Sequence, residues 1–143
     1  MTQVKDIMKN CAVAIRPETT LAEAARILAG QKVDGAPVVT ADLAIVGMIS
    51  ELHLLDVVFD LAVRDAPVSD YMTRHLVLLH PDDSLARAAQ LFALHAFRRL
   101  PVAEDGKLLG IVTRWDLMEH ALRSTDVLTE PLVDLVPELA PMS

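Results

Sequence analysis

Four polar residues in the second half of the chain have types and spacing that suit a phosphorylated ligand. Thr113 ends a short apolar run, Arg114 opens a segment with helical periodicity, and Asp116 falls in its first turn. A helix N-terminus presents unpaired N–H groups to an anion, and the guanidinium groups of Arg99 and Arg114 fit a phosphate. The acceptor-only carboxylate of Asp116 suits a diol. An alternative stays open, because Thr113 as N-cap and Asp116 beside the helix dipole also make a good helix start.

No other set of residues has the spacing of a catalytic or metal site. The histidines lack the i, i+4 spacing of a zinc helix, and no Cys or Glu pattern accompanies them. The glycines are isolated, so a glycine-rich phosphate loop is absent, and Cys11 has no plausible dyad partner. We therefore predict that the chain is not an enzyme and holds no metal. The five histidines are His53, His75, His80, His95 and His120.

Composition excludes several classes of protein. The net charge of −7 disfavours binding to a nucleic-acid backbone, although a few local arginines can still hold a small phosphorylated ligand. Hydrophobic residues make up 52% of the chain, but no apolar run approaches the ~20 residues of a membrane span. The N-terminus lacks the pattern of a signal peptide, and a single cysteine fits a reducing compartment. We expect a cytoplasmic protein that binds neither nucleic acid nor membrane.

The chain contains an internal duplication. Val4-Lys5-Asp6-Ile7-Met8 returns 64 residues later as Val68-Ser69-Asp70-Tyr71-Met72, and one residue is lost in a later turn. Matches in this register continue through both halves, which chance does not explain. We predict a first repeat over 1–61, a linker over 62–67, a second repeat over 68–123 and a C-terminal tail over 124–143. The further matched pairs are Pro17 with Pro81, Leu21 with Leu85, Pro37 with Pro101 and Gly47 with Gly110.

Each repeat has the same predicted order of elements, which is strand, helix, strand, strand, helix. Short apolar runs at 13–15 and 76–79, each closed by a proline, indicate the first strands. Thr20 and Ser84 are expected N-caps, and Pro37 and Pro101 are expected at the starts of the middle strands. Hairpin turns then lead to third strands and to amphipathic helices over 51–61 and 114–123. The predicted fold class is α+β, and neither small sheet can bury itself alone.

These segments carry a resemblance to a known family. Gly110-Ile111-Val112-Thr113-Arg114-Trp115-Asp116-Leu117 resembles the closing signature of a CBS (cystathionine-β-synthase-type) domain, and Arg98-Arg99-Leu100-Pro101-Val102 resembles its middle strand. The resemblance runs from Val4 to about Arg123 and occurs twice. It implies a Bateman module, in which two repeats pack as a pseudo-twofold pair with two clefts. Family members often bind adenine nucleotides there, others bind S-adenosylmethionine or metal ions, and pairs commonly form homodimers.

The resemblance also implies roles for individual residues. Thr113 resembles the hydroxyl that contacts phosphate, and Asp116 resembles the carboxylate that holds the ribose hydroxyls. The equivalent residues of the first repeat are Ser50 and His53, so the carboxylate is lost there. We therefore expect one competent cleft at most. The predicted ligand-binding residues are Thr113, Asp116, Arg114, Arg99, Val77, Leu78, Pro101, Ile111, Ser50 and His53.

Two functions remain as alternatives. The first is a stand-alone regulatory pair that binds AMP, ADP or ATP and acts through a homodimer. The second is a ligand-free scaffold for dimerisation or for an unknown target protein. Both rely on the apolar residues of the two final helices, which exceed what one pair needs to bury. Apolar residues of the tail predict that it docks on this chain or on a partner.

Overall fold

The sequence repeats and the compact units of the structure divide the chain differently. In the computed structural model, which describes residues 2–95 and 97–123, contacts group into two units. We call Cys11–Leu76 with Asp105–Leu108 the first-repeat unit. The second-repeat unit comprises Met1–Asn10, Val77–Glu104 and the segment that begins at Leu109. Each repeat's opening segment therefore belongs to the unit that holds the body of the other repeat. The predicted docking of the tail lies outside the described residues.

Short helical turns form the opening segments. In the second-repeat unit α1 (Val4–Ile7) is held by backbone bonds from Val4 N to Asp83 O at 2.8 Å and from Lys5 N to Pro81 O at 2.9 Å. In the first-repeat unit the 3₁₀ turn Val68–Asp70 makes the equivalent bonds, from Val68 N to Thr19 O at 2.7 Å and from Ser69 N to Pro17 O at 3.0 Å. Val4 and Val68 are fully buried, so each opening segment contributes to the core of its unit.

The first-repeat unit contains α2 (Leu21–Gln31), β1 (Gly35–Val39), β2 (Ile45–Ser50) and α3 (Glu51–Val58). Strands β1 and β2 pair antiparallel, with Gly35 opposite Ser50. The predicted N-cap is confirmed, because Thr20 Oγ1 accepts from Glu23 N at 3.1 Å. The helix predicted over 51–61 ends at Val58. Beyond it the Asp60 side chain accepts from Ala62 N at 2.9 Å, a local bond that competes with helix continuation.

The second-repeat unit contains α4 (Leu85–His95), β3 (Arg99–Glu104), β4 (Lys107–Thr113) from Leu109 onward, and α5 (Arg114–Arg123). Strands β3 and β4 form the second two-stranded sheet. Ser84 caps α4, as predicted, by accepting from Arg87 N at 3.0 Å. The predicted Asp-Gly hairpin is confirmed, since Asp105 and Gly106 have φ values of 54° and 78°.

The predictions of first strands at 13–15 and 76–79 are wrong. Each run supplies a single parallel bridge, Ile15 with Val38 and Leu79 with Val102. Ile15 N donates to Pro37 O and Ile15 O accepts from Val39 N. The next bonds of a parallel ladder need the N–H groups of residues 17 and 37, and both are prolines. Pro81 and Pro101 limit the second run in the same way.

The expected position of the middle-strand prolines is also wrong. Pro37 and Pro101 are the third residues of β1 and β3, not the first. Their nitrogens face the incomplete parallel ladder, where no hydrogen bond forms, so the antiparallel pairing is kept. Within residues 2–95 and 97–123, no helix combines the length and the apolar character that crossing a membrane requires.

Candidate functional site

The turn from β4 to α5 is held by a reciprocal capping box. Asp116 N donates to Thr113 Oγ1 at 3.1 Å, and Thr113 N donates to Asp116 Oδ2 at 2.8 Å. Asp116 is only 8% exposed and is the one buried charged residue in the described part of the chain. The helix-start interpretation of these two residues is therefore observed. The capping box uses Oδ2 of the Asp116 carboxylate, so Oδ1 can bond to another partner.

Lys9 occupies that second oxygen, and the sequence patterns did not point to it. Lys9 Nζ lies 3.1 Å from Asp116 Oδ1, while its side chain is 68% exposed. The hydrogen bond to Asp116 and the negative charge of that carboxylate raise the pKa of Lys9 above its ordinary value. The internal repeat contained a signal for Lys9. This residue directly follows the matched Met8, and its counterpart in the other repeat is the uncharged Thr73.

The two predicted arginines lie at the starts of neighbouring elements. Arg99 is the first residue of β3 and is half-buried, and Arg114 is the first residue of α5 and is exposed. Arg114 N donates to Arg98 O at 3.2 Å, which holds the two element starts side by side. Arg99 and Arg114 therefore lie at the same end of the second-repeat unit as the capping box of Thr113 and Asp116.

The predicted apolar ligand-binding residues lie in β3, in β4 or in the run that bridges to β3. The bridge between Leu79 and Val102 places Val77 and Leu78 alongside the beginning of β3. Pro101 is buried, whereas Val77, Leu78 and Ile111 are half-buried. Eight of the ten predicted residues thus belong to the second-repeat unit.

Ser50 and His53 form the corresponding turn of the first-repeat unit. Ser50 Oγ accepts from His53 N at 3.3 Å, so half of the capping box remains. His53 does not return the bond as Asp116 does, and its Nδ1 atom is buried without a hydrogen-bond partner among the described residues. Thr73, which stands where the other unit has Lys9, accepts from His75 N at 3.3 Å. This turn therefore carries neither member of the Lys9–Asp116 ion pair.

An exposed cluster of His80, Asp82 and Glu104 has side chains that suit a metal ion. His80 Nδ1 accepts from Asp82 N at 3.1 Å, and His80 Nε2 lies 3.3 Å from Glu104 Oε2. The Asp82 carboxylate binds Lys5 at 3.1 Å. Because each member already has a partner within the unit, these contacts give no reason to assign a metal there.

Comparison with protein families decides the classification. The model of the CBS domain matches residues 4–60 and again residues 68–123. The chain belongs to the CBS domain family. It carries two CBS repeats, and the α+β fold class predicted from the sequence is confirmed.

Several CBS proteins are similar over most of this chain. YhcV, a CBS domain-containing protein of Bacillus subtilis, is 34% identical over 125 residues, which cover 82% of this chain and 84% of YhcV. An uncharacterized protein of Methanocaldococcus jannaschii, MJ1225, is 28% identical, and the match covers 81% of this chain but only 41% of that protein.

A solved structure gives the same result. CBSX2, a CBS-pair protein of Arabidopsis thaliana, has been solved in complex with AMP. It shares 32% sequence identity and a TM-score of 0.78 with this chain, and the match covers 86% of this chain and 98% of CBSX2.

Proposed function

We propose that this CBS pair is a regulatory, non-catalytic module that binds an adenine nucleotide at the turn from β4 to α5. The observation that carries the proposal is the Asp116 carboxylate, which is buried, fixed in orientation by Thr113 and placed at a helix N-terminus. The likeness to CBSX2, whose solved complex contains AMP, supports this choice of ligand.

We assign a part of the ligand to each group. The N–H groups that open α5, together with Thr113, Arg114 and Arg99, are suited to the phosphate. Asp116 accepts from the ribose hydroxyls, because a carboxylate offers about four lone-pair positions and the described residues use two of them. Val77, Leu78, Pro101 and Ile111 supply apolar surface for the base. Ser50 and His53 lack a carboxylate, so we assign one nucleotide to the pair.

We further propose that the pair acts through a homodimer. Large apolar side chains of α3, of the residues directly after it and of α5 face solvent in the described chain, and Phe59 and Trp115 are 85% and 70% exposed. Soluble monomers rarely keep several such side chains exposed on one helix. A second copy of the chain is the occupant that the CBS family suggests. The other exposed apolar residues of this set are Leu52, Leu55, Leu61, Met118 and Leu122.

The second candidate function is a ligand-free scaffold, and a specific observation favours it. Thr113, Asp116 and Lys9 already satisfy one another, so this turn is complete as a structural element without a ligand. The exposed helices then engage a second copy or a target protein.

A thermal-shift screen against AMP, ADP, ATP, NAD and S-adenosylmethionine separates the two functions. Ligand at a hundredfold over its dissociation constant stabilises the folded state by about 2.7 kcal/mol, which is readily detected. We expect at least one adenine nucleotide to raise the melting temperature. If no compound raises it, the ligand-free scaffold is the supported function. Light scattering at micromolar concentration tests the dimer, and a monomeric mass contradicts it.

A further inference from the structure

Lys9 is held beside the candidate site by its backbone. Lys9 N donates to Ile111 O at 3.0 Å, and Ile111 N donates to Lys9 O at 2.8 Å. The close approach depends on Gly110, since a Cβ atom at that position would lie 2.8 Å from Lys9 O. The ammonium group is therefore a positioned cation at the entrance of the turn, although its side chain is largely exposed.

The charges around Lys9 decide what this cation does. Its closest charged partner is Asp116, and Glu119 and Arg123 also act on it with opposite signs. Asp116 alone would repel a phosphate at the N-terminus of α5. Lys9 offsets that charge, so the turn repels a phosphate less than Asp116 alone would.

The first-repeat unit shows that the two charges are lost together. Thr73 stands in place of Lys9, and His53 stands in place of Asp116. The backbone there is equivalent, because Met48 N donates to Thr73 O at 2.9 Å and Thr73 N donates to Met48 O at 2.9 Å. The fold therefore does not require a cation at this position. Lys9 has a role specific to the turn that holds the carboxylate.

We propose that Lys9 is a specificity-determining residue that makes the Asp116 site select phosphorylated ligands over the corresponding uncharged nucleosides. This inference rests on the proposed nucleotide site. Lys9 orients and neutralises Asp116, and its ammonium group has three N–H donors, so it can hold the carboxylate and also donate to a phosphate oxygen.

The test compares AMP with adenosine by titration calorimetry on the full chain. For Lys9→Met, the preference for AMP over adenosine falls by about fivefold, the upper range for an exposed ion pair. Most of that change comes from weaker AMP binding. Lys9→Arg keeps the preference because it keeps the charge.

Lys5→Met is the matched control. Lys5 lies in the same opening segment and makes an ion pair of the same length, 3.1 Å, with Asp82, away from the turn. The control removes the same charge from the chain and leaves the preference unchanged.

The outcomes separate the inference from the function on which it rests. If the wild type binds AMP and Lys9→Met keeps the full preference, the inference is overturned and the nucleotide site stands. If Lys5→Met lowers the preference as much as Lys9→Met does, the effect comes from the net charge of the protein and not from the position of Lys9, and the inference is again overturned. If the wild type binds neither AMP nor adenosine, both are overturned.

Discussion

The two strand-to-helix turns of this CBS pair have equivalent backbone hydrogen bonds but differ in their charged side chains. In both units the opening segment bonds to a strand beside a glycine, to β2 next to Gly47 in one and to β4 next to Gly110 in the other. In both, a hydroxyl caps the following helix. Of the two turns, only that of the second-repeat unit adds a carboxylate with a lysine partner. The two units therefore share the cap and the glycine, whereas the two charges are present at one turn and not at the other.

The largest expected effect comes from removing the carboxylate. Asp116→Ala is expected to weaken AMP binding by about 1.5–3 kcal/mol, the range for hydrogen bonds to a charged group. His53→Ala changes binding much less, because that turn has no carboxylate to offer. Titration calorimetry with AMP and ATP measures both variants after circular dichroism shows that they are folded. Normal binding by Asp116→Ala with loss of binding by His53→Ala would place the nucleotide in the first-repeat unit.

Substitutions at Gly47 and Gly110 test the close backbone approach that is present in both units. Gly47→Ala and Gly110→Ala are each expected to destabilise the fold by about 1–3 kcal/mol, the usual cost of overpacking. A Cβ atom would lie 2.9 Å from Thr73 O in the first case and 2.8 Å from Lys9 O in the second. Urea denaturation measures the free energy of unfolding. Gly110→Ala also weakens AMP binding because it displaces Lys9, whereas Gly47→Ala does not.

Gly30 in α2 is the control for these variants, since a Cβ atom there meets nothing within 4 Å. Gly30→Ala should stabilise the helix by up to about 1 kcal/mol. Equal loss of AMP binding in both close-packed glycine variants would contradict a separate role for the Lys9 segment.

The helix caps should differ by a smaller amount. Ser50→Ala is expected to cost about 1 kcal/mol of stability, the typical value for an N-cap. Thr113→Ala should cost more, because its hydroxyl belongs to a two-way capping box and the Ser50 bond is single and longer. Thermal unfolding compares the two variants, with Thr113→Ser as the control that keeps the hydroxyl. A larger loss for Ser50→Ala would show that the capping box adds nothing.

The smallest effect is a pH dependence of the Lys9–Asp116 ion pair, which the turn from Ser50 to His53 lacks. The pKa of Lys9 in the folded chain is raised above 10.5 by Asp116. The ion pair therefore contributes its stabilisation in full below pH 10.5, and this is lost as pH rises through the higher folded-state pKa. NMR titration of the Lys9 side chain measures the shift, and Asp116→Asn should return the pKa towards its ordinary value. An unshifted Lys9 in the wild type would show that the ion pair does not form in solution.

Local sequence signals predicted much of the fold. The Thr20 and Ser84 caps, the Asp105-Gly106 turn and the duplicated order of elements follow from interactions within a few residues. The prediction failed for the first strands, because a parallel ladder depends on N–H groups from two distant segments. Prolines remove those groups on both sides of each bridge.

The same division applies to the candidate site. The sequence by itself determined that Thr113 and Asp116 would share a helix start, since they are three residues apart, and that the first repeat would lack the carboxylate. Only the tertiary structure decided that Lys9, more than a hundred residues earlier in the chain, would neutralise Asp116. That contact exists because the first repeat's opening segment folds with the body of the second repeat. Pairing between distant segments depends on backbone bonds and buried valines that no local spacing reveals.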